Sequence, residues 1–122
     1  MKLTLLGRPI TKKNSSRIVS VGKYPRLLPS KQFVQYEKDC LRQISGKYRI
    51  NIQEPSNMKC VYYMPTRHKV DLCNLLAATC DILVKAKVIE DDNSKIIVSH
   101  DGSRVLYDKE NPRVEIEIKS TD

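Results

Sequence analysis

The feature that most constrains the fold is an apolar segment with helical spacing that carries acidic residues at both ends. Between Leu72 and Lys87, apolar side chains recur every three or four residues, which is typical of a helix with one buried face. Asp71 precedes this segment at the position of a helix N-cap. The acidic run Glu90-Asp91-Asp92-Asn93 follows it. The sequence therefore predicts a helix over about residues 72–87 with carboxylates at its two ends.

Other patterns place this helix in a mixed fold. Four segments have strand propensity or alternation: Lys2–Leu6, Met58–Met64, Lys95–His100 and Arg113–Lys119. Another helix begins at the capping residue Ser30 and is predicted to end at Gly46. Between the first strand and this helix lies a long basic loop, in which Ile18–Val21 is a candidate hairpin arm. The order predicts an α+β fold, a small mixed β-sheet with two main helices, in one domain spanning residues 1–122.

Charge is distributed unevenly along the 122 residues, whose formal net charge is +8. Residues 1–70 carry +12, whereas residues 71–122 carry −4. A basic half beside an acidic half suits a protein that binds a polyanion and a metal ion, although solvated charged faces give the same composition. No apolar run approaches the ~20 residues of a membrane span, and the N-terminal apolar stretch is too short for a signal peptide. A cytoplasmic protein without a membrane partner is expected.

The acidic residues have both a structural and a functional interpretation. Capping alone explains Asp71, and Asp91 and Asp92 are ordinary turn residues. Asp71 also follows the basic tripeptide Arg67-His68-Lys69, which would bring a phosphate to a carboxylate site. Carboxylates brought together usually hold a divalent cation, and bound metal with phosphate suggests phosphodiester cleavage.

Helix length restricts how these carboxylates could share one ion. A helix of about fifteen residues is roughly 22 Å long, so its two ends cannot contact the same ion. Either the chain after Lys87 folds back over the helix, or two subunits pack their helices antiparallel about a two-fold axis. Asp101 is a reserve ligand beside Asp71, but the first position of an Asp-Gly turn is the favoured interpretation of that residue.

These residues, in this order, resemble the RusA-type Holliday junction resolvases. The resemblance rests on Met64-Pro65, the basic stretch, Asp71-Leu72-Cys73-Asn74-Leu75, Asp81 and Glu90-Asp91-Asp92. The segment from Gly7-Arg8-Pro9 to Asn14-Ser15 is similar to the N-terminal Pro and Asn motif of that family. The resemblance implies a homodimeric endonuclease that depends on Mg²⁺ or Mn²⁺ and nicks four-way DNA junctions.

The resemblance also implies residue roles. Asp71 matches the first catalytic aspartate and Asp92 the later one, with Asp91 beside it, and these carboxylates with Asp101 are the candidate metal ligands. Five basic residues are candidates for binding DNA phosphates: Lys12, Lys13, Arg17, Arg67 and Lys69. Two positions depart from the pattern, because Cys73 stands where the family has a second aspartate and Ala77 where it has a lysine. A thiol is a poor ligand for a hard cation such as Mg²⁺.

Two alternatives to a nuclease remain open from the sequence. One is a module that binds branched DNA with weakened or lost catalysis, which would account for the two departures. They are equally compatible with a nuclease that recruits Asp101 or Glu90, or that holds its metal with fewer carboxylates and more water. The other is a small RNA-binding protein, against which the scattered tyrosines show no compact stacking motif.

Overall fold

A computed structural model describes residues 1–12, 16–21 and 24–121, with the backbone alone for residues 16–21 and 24–29. Within these residues the chain forms seven strands and two α-helices. The strands are β1 (Lys2–Leu6), β2 (Ser16–Val21), β3 (Tyr24–Pro29), β4 (Ser56–Met64), β5 (Ile97–Ser99), β6 (Arg104–Tyr107) and β7 (Arg113–Ser120). The helices are α1 (Lys31–Gln43) and α2 (Leu72–Lys85), and a 3₁₀ turn spans Gly46–Tyr48.

Five strands form a mixed sheet, which confirms the α+β prediction. Strand β7 pairs antiparallel with β1 on one side and with β4 on the other. The far edge of β4 is shared by two short parallel strands, β5 near its start and β6 near its end. Strands β2 and β3 form a separate antiparallel hairpin, so the candidate hairpin arm in the basic loop is confirmed.

Alternation along the strands determines which face of the sheet is covered. The buried side chains of β1 and β7 occupy every second position, and both helices contribute their apolar faces to the same core. Helix α1 buries Phe33, Tyr36 and Cys40, whereas α2 buries a longer row that includes Leu75, Ala78 and Leu83. Burying a large apolar side chain contributes about 1.5–3 kcal/mol each, so this row fixes α2 against the sheet.

A buried hydrogen bond sets the position of α2 along the sheet. The Tyr62 hydroxyl and Thr79 Oγ1 lie 2.6 Å apart, and both side chains are buried. Burial raises the pKa of Tyr62, so this phenol is neutral. Asp71 follows the end of β4, and after α2 Ile89 forms a bridge to Ile52, just before β4. Helix α2 therefore runs back along β4, with its first residue near the end of that strand.

Local sequence signals identified most elements, with differences in their bounds. Strand β5 is shorter than predicted, because Lys95 and Ile96 belong to the turn before Ile97, and α2 ends at Lys85 and not at Lys87. Helix α1 ends at Gln43 rather than at Gly46, because the backbone is already extended at Ile44. Strand β6 was not predicted, since its four residues depend on pairing with β4, more than forty positions earlier. Among the described residues, neither helix has the length and apolar character needed to cross a membrane.

Candidate active site

Asp71 lies at the N-terminus of α2 with one carboxylate oxygen engaged. Its backbone is extended, and its Oδ1 accepts a hydrogen bond from the Cys73 amide at 2.9 Å, as the capping interpretation predicts. The residue is exposed to solvent. Within the described part of the chain, Oδ2 of Asp71 has no hydrogen-bond or ion-pair partner. The carboxylate therefore caps the helix and still presents an oxygen that a cation could bind.

The chain turns sharply after α2. Lys87 has φ 62°, its amide donates to Val84 O at 3.1 Å, and the Val88 amide donates to Leu83 O at 3.0 Å. This pair of bonds is a Schellman motif, in which glycine usually occupies the left-handed position. Ile89 then pairs with Ile52. The turn carries the acidic run away from the helix axis and back alongside the helix.

Asp91 and Asp92 follow this turn, and both are exposed. Asn93 Nδ2 donates to Asp91 Oδ2 at 2.8 Å, and Asn93 Oδ1 accepts from the Lys95 amide at 2.9 Å. These bonds are ordinary turn chemistry. Asp92 is close enough to the buried Cys80 to help raise the pKa of that thiol to about 12, after the larger effect of burial.

Asp81 lies in the same neighbourhood, at the middle of α2. Its charge, like that of Asp92, helps to raise the pKa of the adjacent Cys80. Lys12 Nζ is 3.9 Å from Asp81 Oδ2, in a pair about half exposed on both sides. One of the basic residues proposed to bind DNA is thus placed beside a carboxylate of α2.

Asp101 lies near the start of β4. The Asp101 amide donates to Asn57 Oδ1 at 2.8 Å, and Asn57 Nδ2 donates back to Asp101 O at 3.2 Å. Asn57 and Met64 are seven residues apart on β4, roughly 23 Å at about 3.3 Å per residue. Asp71 follows the far end of that strand. The structure therefore does not bring Asp101 beside Asp71 in one subunit, and it places Asp101 in the turn that was the favoured interpretation.

The acids of a single subunit are spread along α2. Asp71 and Asp81 are ten residues apart, about 15 Å at 1.5 Å per residue. In the part of the chain that the structure describes, no group of three or more histidine, cysteine, aspartate or glutamate side chains is placed to hold one metal ion. The chain does fold back after α2, but Asp92 lies between Ile89, which pairs with Ile52, and Ile97, which pairs with Ser56. It therefore stays at the start of β4, near the C-terminal end of α2 and not near its start.

The basic residues of the segment before α2 are exposed. The Arg67 guanidinium stacks over the Tyr107 ring with its Cζ 4.1 Å from the ring centroid, and Lys69 lies two residues before Asp71. Lys13 lies outside the described residues, and Arg17 lies on β2, where only the backbone is described. Two exposed basic residues, Arg67 and Lys69, therefore precede Asp71 in the segment before α2.

The fold and the site define a small basic α+β protein with an exposed carboxylate directly after a basic segment. The chain matches the family model of endodeoxyribonuclease RusA over residues 7–119. It belongs to that family, so the resemblance seen in the sequence is confirmed. No curated protein sequence matches it.

The two departures from the family pattern lie on the first turns of α2. Cys73 is the exposed cysteine of the chain, whereas Cys40, Cys60 and Cys80 are buried. Ala77 is exposed one turn later. Two neighbours of the site, Asp81 and Tyr107, are not among the candidate site residues that the sequence predicts. Asp81 could have been found from its place on the helix ten residues after Asp71, but Tyr107 comes from the unpredicted strand β6.

Proposed function

We propose that this protein is a metal-dependent endodeoxyribonuclease that hydrolyses phosphodiester bonds in four-way DNA junctions during recombination and repair. The observation that carries the proposal is the Asp71 carboxylate, two residues after Lys69, which is exposed and has one oxygen without a partner among the described residues. Such a group can hold a cation where the basic segment would deliver a phosphate. Membership of the endodeoxyribonuclease family supports the same class of reaction.

The chemistry of the donors suits Mg²⁺ or Mn²⁺, which prefer carboxylate oxygens and keep several waters. Asp71 and Asp92 are the proposed ligands, with Asp91 beside Asp92 and Asp101 in reserve. The bound ion would activate water and stabilise the leaving oxygen. Because three such side chains do not meet within the described residues of one subunit, the proposal includes a homodimer in which Asp71 of one subunit lies near Asp92 of the other.

In this proposal the basic residues supply affinity for the phosphate backbone of DNA. Arg67 and Lys69 would bind phosphates next to Asp71, and the other proposed contacts are Lys12, Lys13 and Arg17. Such contacts are sensitive to salt and carry little sequence information. Recognition of a branched junction would then depend on shape and on the spacing of two subunits.

Nicking of a synthetic four-way junction tests the role of Asp71. Asparagine also caps helices well, so Asp71→Asn should keep the fold while removing the ligand charge. We expect nicking in Mg²⁺ or Mn²⁺ to fall roughly 100-fold or more, because removing even the partners of metal ligands costs about 10- to 100-fold. Junction binding without metal should persist.

Glu117→Gln is the matched control, since Glu117 lies on β7, alternates with the buried residues that face the helices, and pairs with Lys2 and Lys119 on the other face of the sheet. It should nick at the wild-type rate. Equal activity of wild type and Asp71→Asn would remove Asp71 from the site.

A second candidate is a module that binds branched DNA without cutting it efficiently. Cys73 and Ala77 favour it, because a carboxylate and a lysine of the family pattern are both missing from α2. Losing the lysine would remove a positive charge near the developing phosphorane. This candidate predicts tight junction binding without metal-dependent nicking by the wild type.

A further inference from the structure

A concave pocket lies between the chain that follows β1 and the basic segment Arg67-His68-Lys69 before α2. Its polar lining is formed by Arg8, Thr11, Gln32, Thr66, His68 and Lys69. Apolar side chains, including Ile10, Met64 and Val70, complete its wall. We call this site the basic pocket. Arg8 is the basic residue of this pocket that the sequence does not mark as a candidate for binding phosphate.

Arg8 reaches the pocket from a well-anchored segment. The chain leaves β1 at Gly7, whose φ is 114° and whose amide donates to Pro112 O at 3.0 Å. Just before it, the Gln43 side chain bonds both the amide and the carbonyl of Leu6, at 2.7 and 3.0 Å. Pro9 and Thr11 are buried. The backbone of Arg8 is therefore held by ordered residues on both sides, which lowers the entropy cost of binding a ligand with its side chain.

The other wall is anchored to the sheet. The Asp108 amide donates to Met64 O at 2.9 Å, at the point where β4 ends. Val70 packs against the core immediately before Asp71. Lys69 and His68 thus project from a segment whose two ends are fixed. The two walls together place three basic side chains around one concavity.

Among the residues that the structure describes, no acidic side chain lines the pocket. In the described part of the chain, neither Arg8 nor Lys69 takes part in an ion pair, whereas Lys12, Lys85 and Arg113 each pair with a carboxylate. Positive charges gathered without a counter-charge repel one another and attract an anion. A guanidinium also binds phosphate oxygens in a bidentate manner.

We propose that the basic pocket binds one backbone phosphodiester of the DNA strand that is cut at Asp71. Lys69 is two residues from Asp71, at most ~7 Å between Cα atoms. One strand of DNA rises about 3.4 Å per nucleotide, so the pocket lies within a few nucleotides of the proposed cleavage position. The pocket fixes the register of the strand. The identity of the ligand as DNA rests on the function proposed above.

The test is junction binding by Arg8→Ala in EDTA, measured by fluorescence anisotropy between 50 and 200 mM salt. Removing one charge-assisted phosphate contact should weaken binding several-fold to about 10-fold. The slope of log affinity against log salt should fall by about one per bound subunit. Arg8→Lys, which keeps the charge, should keep the slope.

The matched control is Arg104→Ala, which removes an exposed arginine from β6, outside the pocket. It should bind more tightly than Arg8→Ala. Equal losses in the two variants, or an unchanged salt slope in Arg8→Ala, would overturn the proposal. Thermal unfolding of each variant establishes that it folds.

Failure of the pocket and failure of the nuclease function give different results. If the wild type binds junctions but does not nick them, the nuclease function fails, and the comparison of Arg8→Ala with Arg104→Ala still decides the pocket. If Asp71→Asn loses nicking while Arg8→Ala binds as well as the wild type, the pocket fails alone. A wild type that binds no DNA overturns both.

Discussion

The two ends of α2 carry the same kind of residue under different conditions. At the N-terminus, directly after exposed cations, Asp71 caps the helix with one oxygen, and its other oxygen has no partner in the described parts of the chain. After the C-terminus, Asp91 Oδ2 accepts a hydrogen bond from the Asn93 side chain. Asn93 Oδ1 accepts a hydrogen bond from the Lys95 amide in the same turn. At the N-terminal end of α2 a carboxylate oxygen is available to a ligand. After the C-terminal end, some of the polar groups are already hydrogen-bonded within the turn.

This difference shows why position along a helix matters as much as residue type. The N-terminus of a helix presents free amides and a positive dipole end, which favour phosphate nearby. The region after α2 is acidic, with Glu90, Asp91 and Asp92 in succession. A phosphate would therefore approach at the Asp71 end. The Asp92 end would contribute to hydrolysis only by reaching the Asp71 end of another subunit.

The largest predicted effect tests this pairing of the two ends. Asp71→Asn and Asp92→Asn should each be nearly inactive, but a mixture of the two should recover nicking if each site combines Asp71 and Asp92 of different subunits. In such a mixed dimer, one site has lost both carboxylates and the other is intact. With free exchange of subunits, about a quarter of wild-type nicking is expected.

A site built from one subunit gives the opposite result, because each site in the mixed dimer then carries one substitution. The mixture would stay as inactive as its components. Mixing Asp71→Asn with wild-type protein, which retains an intact site in either arrangement, controls for loss of activity through exchange itself.

A smaller effect on junction binding is predicted for Tyr107, whose ring stacks against Arg67 in the segment before α2. An aromatic face holds a guanidinium by about 0.5–2 kcal/mol and leaves its N–H groups free for phosphate. Tyr107→Ala should weaken junction binding a few-fold, whereas Tyr107→Phe should bind as the wild type does, since the ring suffices. Anisotropy titrations of both variants measure this effect.

Arg67→Ala should lose at least as much affinity, because it removes the phosphate contact itself, and the double variant Arg67→Ala/Tyr107→Ala should lose little more than Arg67→Ala alone. Additive losses would show that Tyr107 acts independently of Arg67. In that case the stack would not position the guanidinium.

The sequence predicted those parts of the site that depend on neighbouring residues. Ser30 and Asp71 both cap helices as expected, because capping involves residues only two or three positions away. The strict alternation of Arg113–Lys119 likewise predicted β7 almost to the residue. Such signals are local and survive in any tertiary context that keeps the helix or the strand.

Long-range pairing determined what the sequence did not predict. The position of Asp101 depends on hydrogen bonds to Asn57, forty-four residues earlier. Strand β6 depends on the end of β4, and with it the stack of Arg67 on Tyr107. Periodicity does not encode such contacts. The basic pocket was missed for the same reason, since Arg8, Gln32 and Lys69 come from three separate segments.

The smallest predicted effect concerns the turn at the C-terminal end of α2. Lys87 has φ 62°, a left-handed conformation that costs a residue with a Cβ about 1–2 kcal/mol and costs glycine almost nothing. Glycine also gains freedom in the unfolded chain, which offsets part of this advantage. Lys87→Gly should therefore raise the free energy of unfolding by about 0.5–1 kcal/mol in urea titrations. Lys87→Ala, which keeps the Cβ, should give no gain. A Lys87→Gly variant less stable than Lys87→Ala would mean that the lysine side chain, and not the Schellman turn, stabilises the acidic end of α2.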